Sequence, residues 1–125
     1  MRFKDKVAVI TGGASGIGEE TAWAFARARA EVVIADFSQE KGQKLADMLT
    51  CQNLPAFFVK TDVTKEEDVR GMVEKCVEHF GRVDILFANA GMAHDNPIVD
   101  LTLEDWQKTI DVNLTGVFLS CKYVI

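Results

Sequence analysis

The sequence predicts an α/β fold built on a doubly wound parallel β-sheet, and two features of the chain indicate this class. Short apolar runs alternate with longer segments of helical periodicity, which is typical of β-α-β units that form a parallel sheet. The first apolar run ends in a glycine-rich turn that leads directly into an alanine-rich segment. We therefore expect one domain over residues 1–125, with strand order 3-2-1-4.

Four apolar runs are the predicted strands: residues 7–10, 32–35, 56–59 and 83–88. Nearly every residue in them is apolar, which predicts strands that helices cover on both faces. We expect the fourth strand to lie at the edge of this sheet, where a larger fold would add a fifth strand.

Apolar residues recur at helical spacing between the third and fourth strands, which predicts an amphipathic helix. The apolar stripe consists of Val69, Met72, Val73, Cys76, Val77 and Phe80. The segment from Thr64 to Glu67 is predicted to open this helix as a capping box, and Gly81 to end it in the left-handed conformation. A last helix is predicted to start at Thr102, with the Asp105 carboxylate in its first turn. No stop signal follows, so we expect the chain to end within a helix.

Residues 11–18 form a glycine-rich loop, Thr-Gly-Gly-Ala-Ser-Gly-Ile-Gly, between the first strand and the first helix, predicted at 19–29. Because glycine has no side chain, the backbone can turn sharply and approach a pyrophosphate, whose charge then meets free N–H groups at the helix N-terminus. Gly18 would also let the helix lie close to the strand. The predicted cofactor-binding residues of this loop are Gly12, Ser15, Gly16, Ile17 and Gly18.

Two other interpretations of this loop were possible. The loop can be a connector without a ligand, although a strand before it and a helix after it favour phosphate binding. A nucleoside-triphosphate loop has similar glycine spacing, but it requires lysine and serine or threonine where this chain has Glu19 and Glu20. Two carboxylates there would repel a triphosphate, so we exclude this interpretation.

Asp36 stands at the end of the second predicted strand. In dinucleotide-binding folds an acidic residue here accepts hydrogen bonds from the ribose hydroxyls of NAD and repels the extra phosphate of NADP. Neither Gly13 nor Phe37 supplies a cation for that phosphate. The predicted cofactor is therefore NAD. The alternative is that Asp36 only caps the helix that begins near Ser38.

Four motifs resemble the short-chain dehydrogenase/reductase family, and they occur along the chain in the order expected for that family. The glycine loop is similar to the family's Thr-Gly-x-x-x-Gly-x-Gly. Asp62 and Val63 resemble the pair that flanks the adenine ring. The segment 111–118 resembles the long-helix segment that contains the family's catalytic asparagine, which is Asn113 in this chain.

The remaining motif follows the fourth predicted strand. Asn89, Ala90 and Gly91 resemble the end of the family's Asn-Asn-Ala-Gly, whose later residues line the cofactor ribose. Ala88 departs from the pattern, because the family often has an asparagine there that ties neighbouring strands together. This departure puts local strand stability in question, but not cofactor binding.

The resemblance implies a Rossmann-type fold and an NAD-dependent oxidoreductase that transfers a hydride between an alcohol or ketone substrate and the nicotinamide. In that mechanism the main-chain carbonyl of Asn113 would hold a water in a proton relay. The family's catalytic serine and Tyr-x-x-x-Lys follow a fifth strand, and this sequence stops earlier. Tyr123, the only tyrosine, is interpreted as a helix-packing residue. We expect this chain alone to be inactive; the alternative is a non-catalytic NAD-binding or interaction module.

Simpler interpretations of three motifs remain open. Asp62 can merely precede the helix that follows it. The segment 89–91 can form a turn, since asparagine and glycine both tolerate left-handed backbone. Asn113 can be a buried amide that is satisfied by backbone groups.

Composition excludes several other classes. The formal net charge of −5 argues against a nucleic-acid binder, and the apolar runs are too short to span a bilayer. Three widely separated cysteines fit reduced thiols in a cytoplasmic protein, and neither they nor the two histidines have the spacing of metal ligands. We expect a homo-oligomer when the protein is full length, since family members often pair through the long helix.

Overall fold

The computed structural model describes residues 2–125, which contain one parallel sheet of four strands. The strands are β1 (Val7–Thr11), β2 (Glu31–Asp36), β3 (Ala56–Lys60) and β4 (Ile85–Ala88). They lie in the order β3-β2-β1-β4, and each neighbouring pair is parallel. The predicted fold class and strand order are confirmed.

Helices follow or connect these strands. Within the described residues they are α1 (Gly16–Arg27), α2 (Gln39–Cys51), α3 (Glu66–Phe80), α4 (Leu103–Ile110) and α5 (Gly116–Val124). A π-helical turn, Asp111–Thr115, joins α4 to α5. Helix α1 therefore begins within the glycine loop, earlier than the sequence predicted.

Two apolar cores lie on opposite faces of the sheet. Side chains of β2 alternate between them: Ile34 packs with residues of α1 and α2, and Val33 packs with residues of α3 and α5. All five residues of β1 are buried. Full burial of a valine or isoleucine side chain is worth about 1.5–3 kcal/mol, so the two central strands dominate the stability of the sheet.

Strand β4 does not have the complete burial that its apolar sequence predicted. Its four residues are each half-buried. The reason is its place in the sheet: β4 pairs with β1 on one side and forms the edge of the described sheet on the other. The edge position itself agrees with the prediction.

The start of α3 corrects a prediction. The residue before the first turn is Lys65, and the Thr64 hydroxyl donates to Asp62 Oδ1 at 2.6 Å instead of capping the helix. The predicted capping box is therefore wrong. Val77 also departs from the predicted stripe, because its side chain is 47 % exposed.

Two other predicted helix boundaries are confirmed. Gly81 ends α3 with a φ of +83°, which glycine adopts without strain. Thr102 caps α4, since its Oγ1 accepts a hydrogen bond from the backbone N–H of Asp105 at 3.1 Å.

Asp84 fastens the start of β4 to the start of β1. Its Oδ2 accepts the backbone N–H of Val7 at 2.9 Å, and its Oδ1 accepts two hydrogen bonds from the Arg82 guanidinium. The Arg82 side chain, and then the Val7 N–H, lower the pKa of the Asp84 carboxyl from its ordinary value. The charged form is thus the one that the folded chain stabilises.

Asp84→Asn is predicted to lower the melting temperature at pH 7, because an amide offers one acceptor oxygen where the carboxylate offers two. Stabilisation by a carboxyl of lowered pKa is complete above its ordinary pKa and is lost as the pH falls through the lowered value. The gap between the two melting curves should therefore narrow as the pH falls below about 4. Asp95→Asn, at an exposed position, is the control and should show no gap. A gap that is absent at pH 7, or constant down to pH 2, would contradict this role.

Candidate functional site

A groove of about 800 Å³ lies at the carboxyl-terminal ends of the parallel strands. Residues that follow each of the four strands line it, which is the usual position of ligand sites in open α/β sheets. Eight of the predicted site residues border this groove: Gly12, Ser15, Asp36, Asp62, Val63, Asn89, Ala90 and Gly91.

Seven further residues line the groove without having been predicted as site residues: Phe37, Thr61, Thr64, Met92, Lys108, Asp111 and Val112. Adjacency to predicted residues was a usable signal for the first four. The other three come from α4 and the π-helical turn: Asp111 and Val112 belong to the motif that contains Asn113, and Lys108 had no signal. Four predicted residues do not border it: Gly16, Ile17, Gly18 and Asn113.

The ends of β1 and β4 are joined by a hydrogen-bonded clasp between Thr11 and Asn89. The buried Thr11 hydroxyl accepts the N–H groups of Asn89 and Ala90 at 3.0 and 3.1 Å. The Asn89 side chain donates to the carbonyls of Thr11 and Gly12, both at 3.2 Å. The strands are therefore tied together even though Ala88 replaces the family's first asparagine. The interpretation of residues 89–91 as a simple turn therefore leaves out the hydrogen bonds that join Asn89 to the end of β1.

Glycines let the backbone segments around this clasp approach one another. Gly12 has a φ of +64°, and a Cβ there would lie 2.8 Å from Ala90 Cα. A Cβ at Gly18 would overlap the Gly12 carbonyl oxygen and lie 2.8 Å from Asn89 Nδ2. Gly18 thus brings α1 against the glycine loop and the end of β4, rather than against the body of a strand.

Gly16 differs from these two glycines. Its φ is +56°, and a Cβ built there meets no atom within 4 Å. Ser15, at the N-cap of α1, makes no side-chain hydrogen bond to the first turn within the described residues, so its hydroxyl does not occupy the N–H groups there. Open space beside a helix N-terminus suits an anion such as a pyrophosphate, although Gly16 itself does not line the groove at the strand ends.

Gly16 and Ile17 border a second, more open groove of about 860 Å³ beside α1. Glu19 and Glu20 also line this second groove. Their carboxylates oppose an anion there. The chemistry of a dinucleotide therefore favours the groove at the strand ends.

Asp36 holds the glycine loop against α2. Its Oδ2 accepts the N–H of Ala14 at 3.0 Å, and its Oδ1 accepts the N–H of Ser38 at 2.9 Å. Ser38 is the N-cap of α2, so the simpler interpretation of Asp36 describes one of its contacts. The same carboxylate borders the groove, where its remaining lone pairs can accept from a ribose.

A cation lies closer to this region than the sequence indicated. Lys60 pairs with Asp36 across the β2–β3 register, and its Nζ lies 5.4 Å from the centroid of the Phe37 ring. The positions considered from the sequence were Gly13 and Phe37, and neither is a cation. The adjacent strand supplies one.

Asp62 holds the loop between β3 and α3. Its Oδ1 accepts both the N–H and the hydroxyl of Thr64, and its own N–H donates to Asp68 at 3.0 Å. The simpler interpretation, that Asp62 precedes a helix, accounts for these contacts. Val63 is buried beside it and also borders the groove.

Asn113 lies in the π-helical turn, where the Gly116 N–H donates to the Asp111 carbonyl. Its side chain pairs with both main-chain groups of Met92: Oδ1 accepts the N–H and Nδ2 donates to the carbonyl, each at 2.8 Å. Backbone groups therefore satisfy the amide, but the side chain is exposed, so the interpretation as a buried amide is wrong. Isolated π-turns often occur at functional sites.

Tyr123 packs α5 against α3. Its hydroxyl donates to Glu66 Oε1 at 2.5 Å, and Lys122 Nζ lies 3.1 Å from the same oxygen. The hydrogen bond to Glu66 raises the pKa of Tyr123, and the same bond lowers the pKa of Glu66. A tyrosine held in this way is a poor acid for a substrate, which agrees with its predicted packing role.

Cys76 is excluded as a nucleophile. Burial in the apolar core raises the pKa of its thiol to about 11, so almost no thiolate forms at neutral pH. Its Sγ donates to the Arg82 carbonyl at 3.4 Å.

The fold and groove together define a Rossmann-type α/β protein. A model of the short chain dehydrogenase family matches residues 6–125. The chain therefore belongs to the short-chain dehydrogenase/reductase family.

Named relatives support this assignment. The chain is 42 % identical over 117 residues to an uncharacterized oxidoreductase of Listeria innocua, covering 94 % of this chain and 47 % of the relative. It is 41 % identical over 124 residues to secoisolariciresinol dehydrogenase of Forsythia intermedia, covering 98 % and 44 % respectively. It is 44 % identical over 124 residues to the mitochondrial borneol dehydrogenase of Lavandula x intermedia, covering 98 % and 46 %.

A solved structure has the same arrangement. A short-chain type dehydrogenase/reductase from Mycobacterium marinum superposes with a TM-score of 0.93 at 35 % identity, over 98 % of this chain and 49 % of that one. The chain thus spans about half the length of the relatives that it matches. Among residues 2–125, no helix has the length and apolar character needed to cross a membrane.

Gly16→Val is predicted to weaken NAD binding by about tenfold or more, since a branched side chain would fill the space beside the first turn of α1. Gly81→Val is the matched control. Gly81 also has a positive φ and open space around a Cβ built there, but it lies between α3 and β4, at the amino-terminal end of the strands. Both variants should lose about 1–2 kcal/mol of stability from backbone strain. Equal NAD affinity of the two variants, measured by calorimetric titration, would mean that the loop is only a connector.

Proposed function

We propose that this chain is the nucleotide-binding part of an NAD-dependent oxidoreductase that interconverts alcohols and ketones. The observation that carries the proposal is the groove at the strand ends. It combines Gly12 and Ser15 of the glycine-rich loop, Asp36 at the end of β2 and an asparagine loop after β4. We propose that residues 1–125 form a single dinucleotide-binding domain of a cytoplasmic protein with unpaired thiols.

Each part of the groove has a proposed task. The backbone of residues 12–18 would bind the pyrophosphate, and Asp36 would accept from the adenosine ribose. Asp62 and Val63 would flank the adenine. Residues 89–91 would contact the second ribose.

Asn113 has a different proposed task, next to the reacting atoms. Its side chain is already paired with Met92, so its main-chain carbonyl would hold the relay water. The chemistry that a nicotinamide supplies when bound is the acceptance or donation of a hydride. The protein's task is to position that group and to exclude competing contacts.

The proposal that the cofactor is NAD depends on the balance between Asp36 and Lys60. A carboxylate that borders the groove repels a 2′-phosphate, whereas the ammonium of Lys60 attracts one. Asp36 is in the groove lining and Lys60 is not. We therefore propose that repulsion by Asp36 decides the selectivity.

The unaltered chain is predicted to bind NAD at least about tenfold more tightly than NADP, a difference on the order of one charge-assisted hydrogen bond. Asp36→Ala with Phe37→Arg should reverse this preference. The double variant should also bind NAD more weakly, because Ala14 loses its hydrogen-bond acceptor. Lys60→Ala is the control: it should lower NADP affinity alone. Tighter binding of NADP by the unaltered chain would contradict the proposal.

We further propose that turnover requires residues beyond this chain, and that further residues or a second subunit cover the apolar surface of α4 and α5. Its one tyrosine is hydrogen-bonded to Glu66 rather than placed in the groove. Leu103, Trp106 and Phe118 are 80 %, 51 % and 61 % exposed on α4 and α5. Ile110 and Val117, on the same two elements of the chain, are half-buried.

The 125-residue chain is predicted to oxidise a panel of alcohols with NAD at a near-background rate. Its only tyrosine is not in the groove, and the acid–base catalysis that a tyrosine would supply there typically contributes about 10² to 10⁴ in rate. Size-exclusion chromatography of the same sample should give species larger than a monomer, since exposed apolar patches drive association. Leu103→Lys with Phe118→Lys should move the elution toward the monomer. A sharp monomer peak with robust turnover would contradict both parts. The non-catalytic alternative would be favoured if the gene did not continue in frame into Ser and Tyr-x-x-x-Lys.

A further inference from the structure

Gly116 is the first residue of α5, directly after the π-helical turn that contains Asn113. A glycine within a helical stretch is less favourable than alanine, so it calls for a packing reason. The reason is visible at Val63. A Cβ on Gly116 would lie 2.7 Å from Val63 Cγ2, 3.1 Å from Val63 Cβ and 3.4 Å from its carbonyl oxygen.

This contact has little room to relax. Val63 is 7 % exposed, and a valine side chain has few alternative rotamers. Rotation about its χ1 would move Cγ2 but would leave Cβ where it is. A methyl group on Gly116 would therefore push the π-helical turn away from the loop that follows β3.

The same helix is held at two other places. At its far end, Lys122 and Tyr123 bind Glu66, at the start of α3. On the other side of Gly116, Asn113 is paired with Met92. The stretch from the π-helical turn to the end of α5 thus bridges the segments that follow β3 and β4, and both segments line the groove.

We infer that Gly116 is a positioning residue: its close contact with Val63 sets the place of the π-helical turn and so keeps Asn113 paired with Met92. The contact couples the loop that contains Val63, at the proposed adenine position, to the π-helical turn that contains Asn113, at the proposed proton relay. This inference rests on the proposed function for its consequence in catalysis. The coupling itself is a property of the chain without a ligand.

Gly116→Ala tests the inference, and Gly71→Ala is its matched control. Gly71 is also a helical glycine, in α3, but a Cβ there meets no atom within 4 Å. Hydrogen exchange of the Met92 amide, whose N–H donates to Asn113, is the local measurement. Exchange of the Val9 amide, in a fully buried central strand, reports on global opening.

In Gly116→Ala the Met92 amide should exchange about fivefold faster or more than in Gly71→Ala, as expected for an overpacked contact. Val9 exchange should not change in the same proportion. Adding Val63→Ala to Gly116→Ala removes the Cγ2 contact at 2.7 Å, the closest of the three, and leaves the milder Cβ contact at 3.1 Å. It should return the Met92 rate to within about twofold of the Val63→Ala single variant, a coupling that independent sites would not give.

Two results would overturn the inference. One is a Met92 rate in Gly116→Ala equal to that of Gly71→Ala. The other is a double variant that stays as fast as Gly116→Ala, or that fails to fold when Gly116→Ala fails to fold. Titration of each variant with ADP adds the link to the groove: affinity should fall in Gly116→Ala relative to Gly71→Ala. An unaltered chain that did not bind ADP would refute the proposed function, while the exchange rates would still decide the role of Gly116.

Discussion

The clasp between Thr11 and Asn89 is the interaction on which the rest of this structure depends. It holds the ends of β1 and β4 together where the chain diverges: α1, which follows β1, packs on one face of the sheet, and α5, in the segment after β4, packs on the other. Parallel strands with connections that diverge in this manner leave a crevice between them. The buried hydroxyl satisfies two backbone donors and so lets the loops separate without leaving unpaired N–H groups.

Three polar residues in or beside the groove hold its loops in place. Asp36 links the glycine loop to the start of α2, Asp62 holds the loop before α3, and Asn113 pairs with the backbone after β4. Asp36 and Asp62 also line the groove, and so does Met92, the partner of Asn113. A preorganised site of this kind does not have to order its own loops when the nucleotide binds, which lowers the cost of binding.

The sequence was sufficient for the fold and for most of the groove because both follow from local patterns. Apolar runs and the glycine loop predicted the strand order, and residues after strand ends met at one edge. Contacts between distant segments could not be read in this way. The Lys60 ammonium beside Phe37 comes from strand pairing, and the Asn113 side chain binds the backbone of Met92, which lies far from it along the chain. One local contact was also predicted wrongly, since the hydroxyl of Thr64 binds Asp62 instead of capping α3. The π-helical turn has no sequence signal, because the spacing of its apolar residues is that of an ordinary helix.

The central claim is that a dinucleotide binds at the carboxyl edge of this sheet. Amide chemical-shift mapping of the ¹⁵N-labelled chain during titration with NAD tests it most directly. The account predicts saturable shifts in the loops after all four strands: residues 12–18, 36–37, 61–64 and 89–92. Shifts confined to the exposed face of α2, or no saturable shifts in a folded chain, would contradict it.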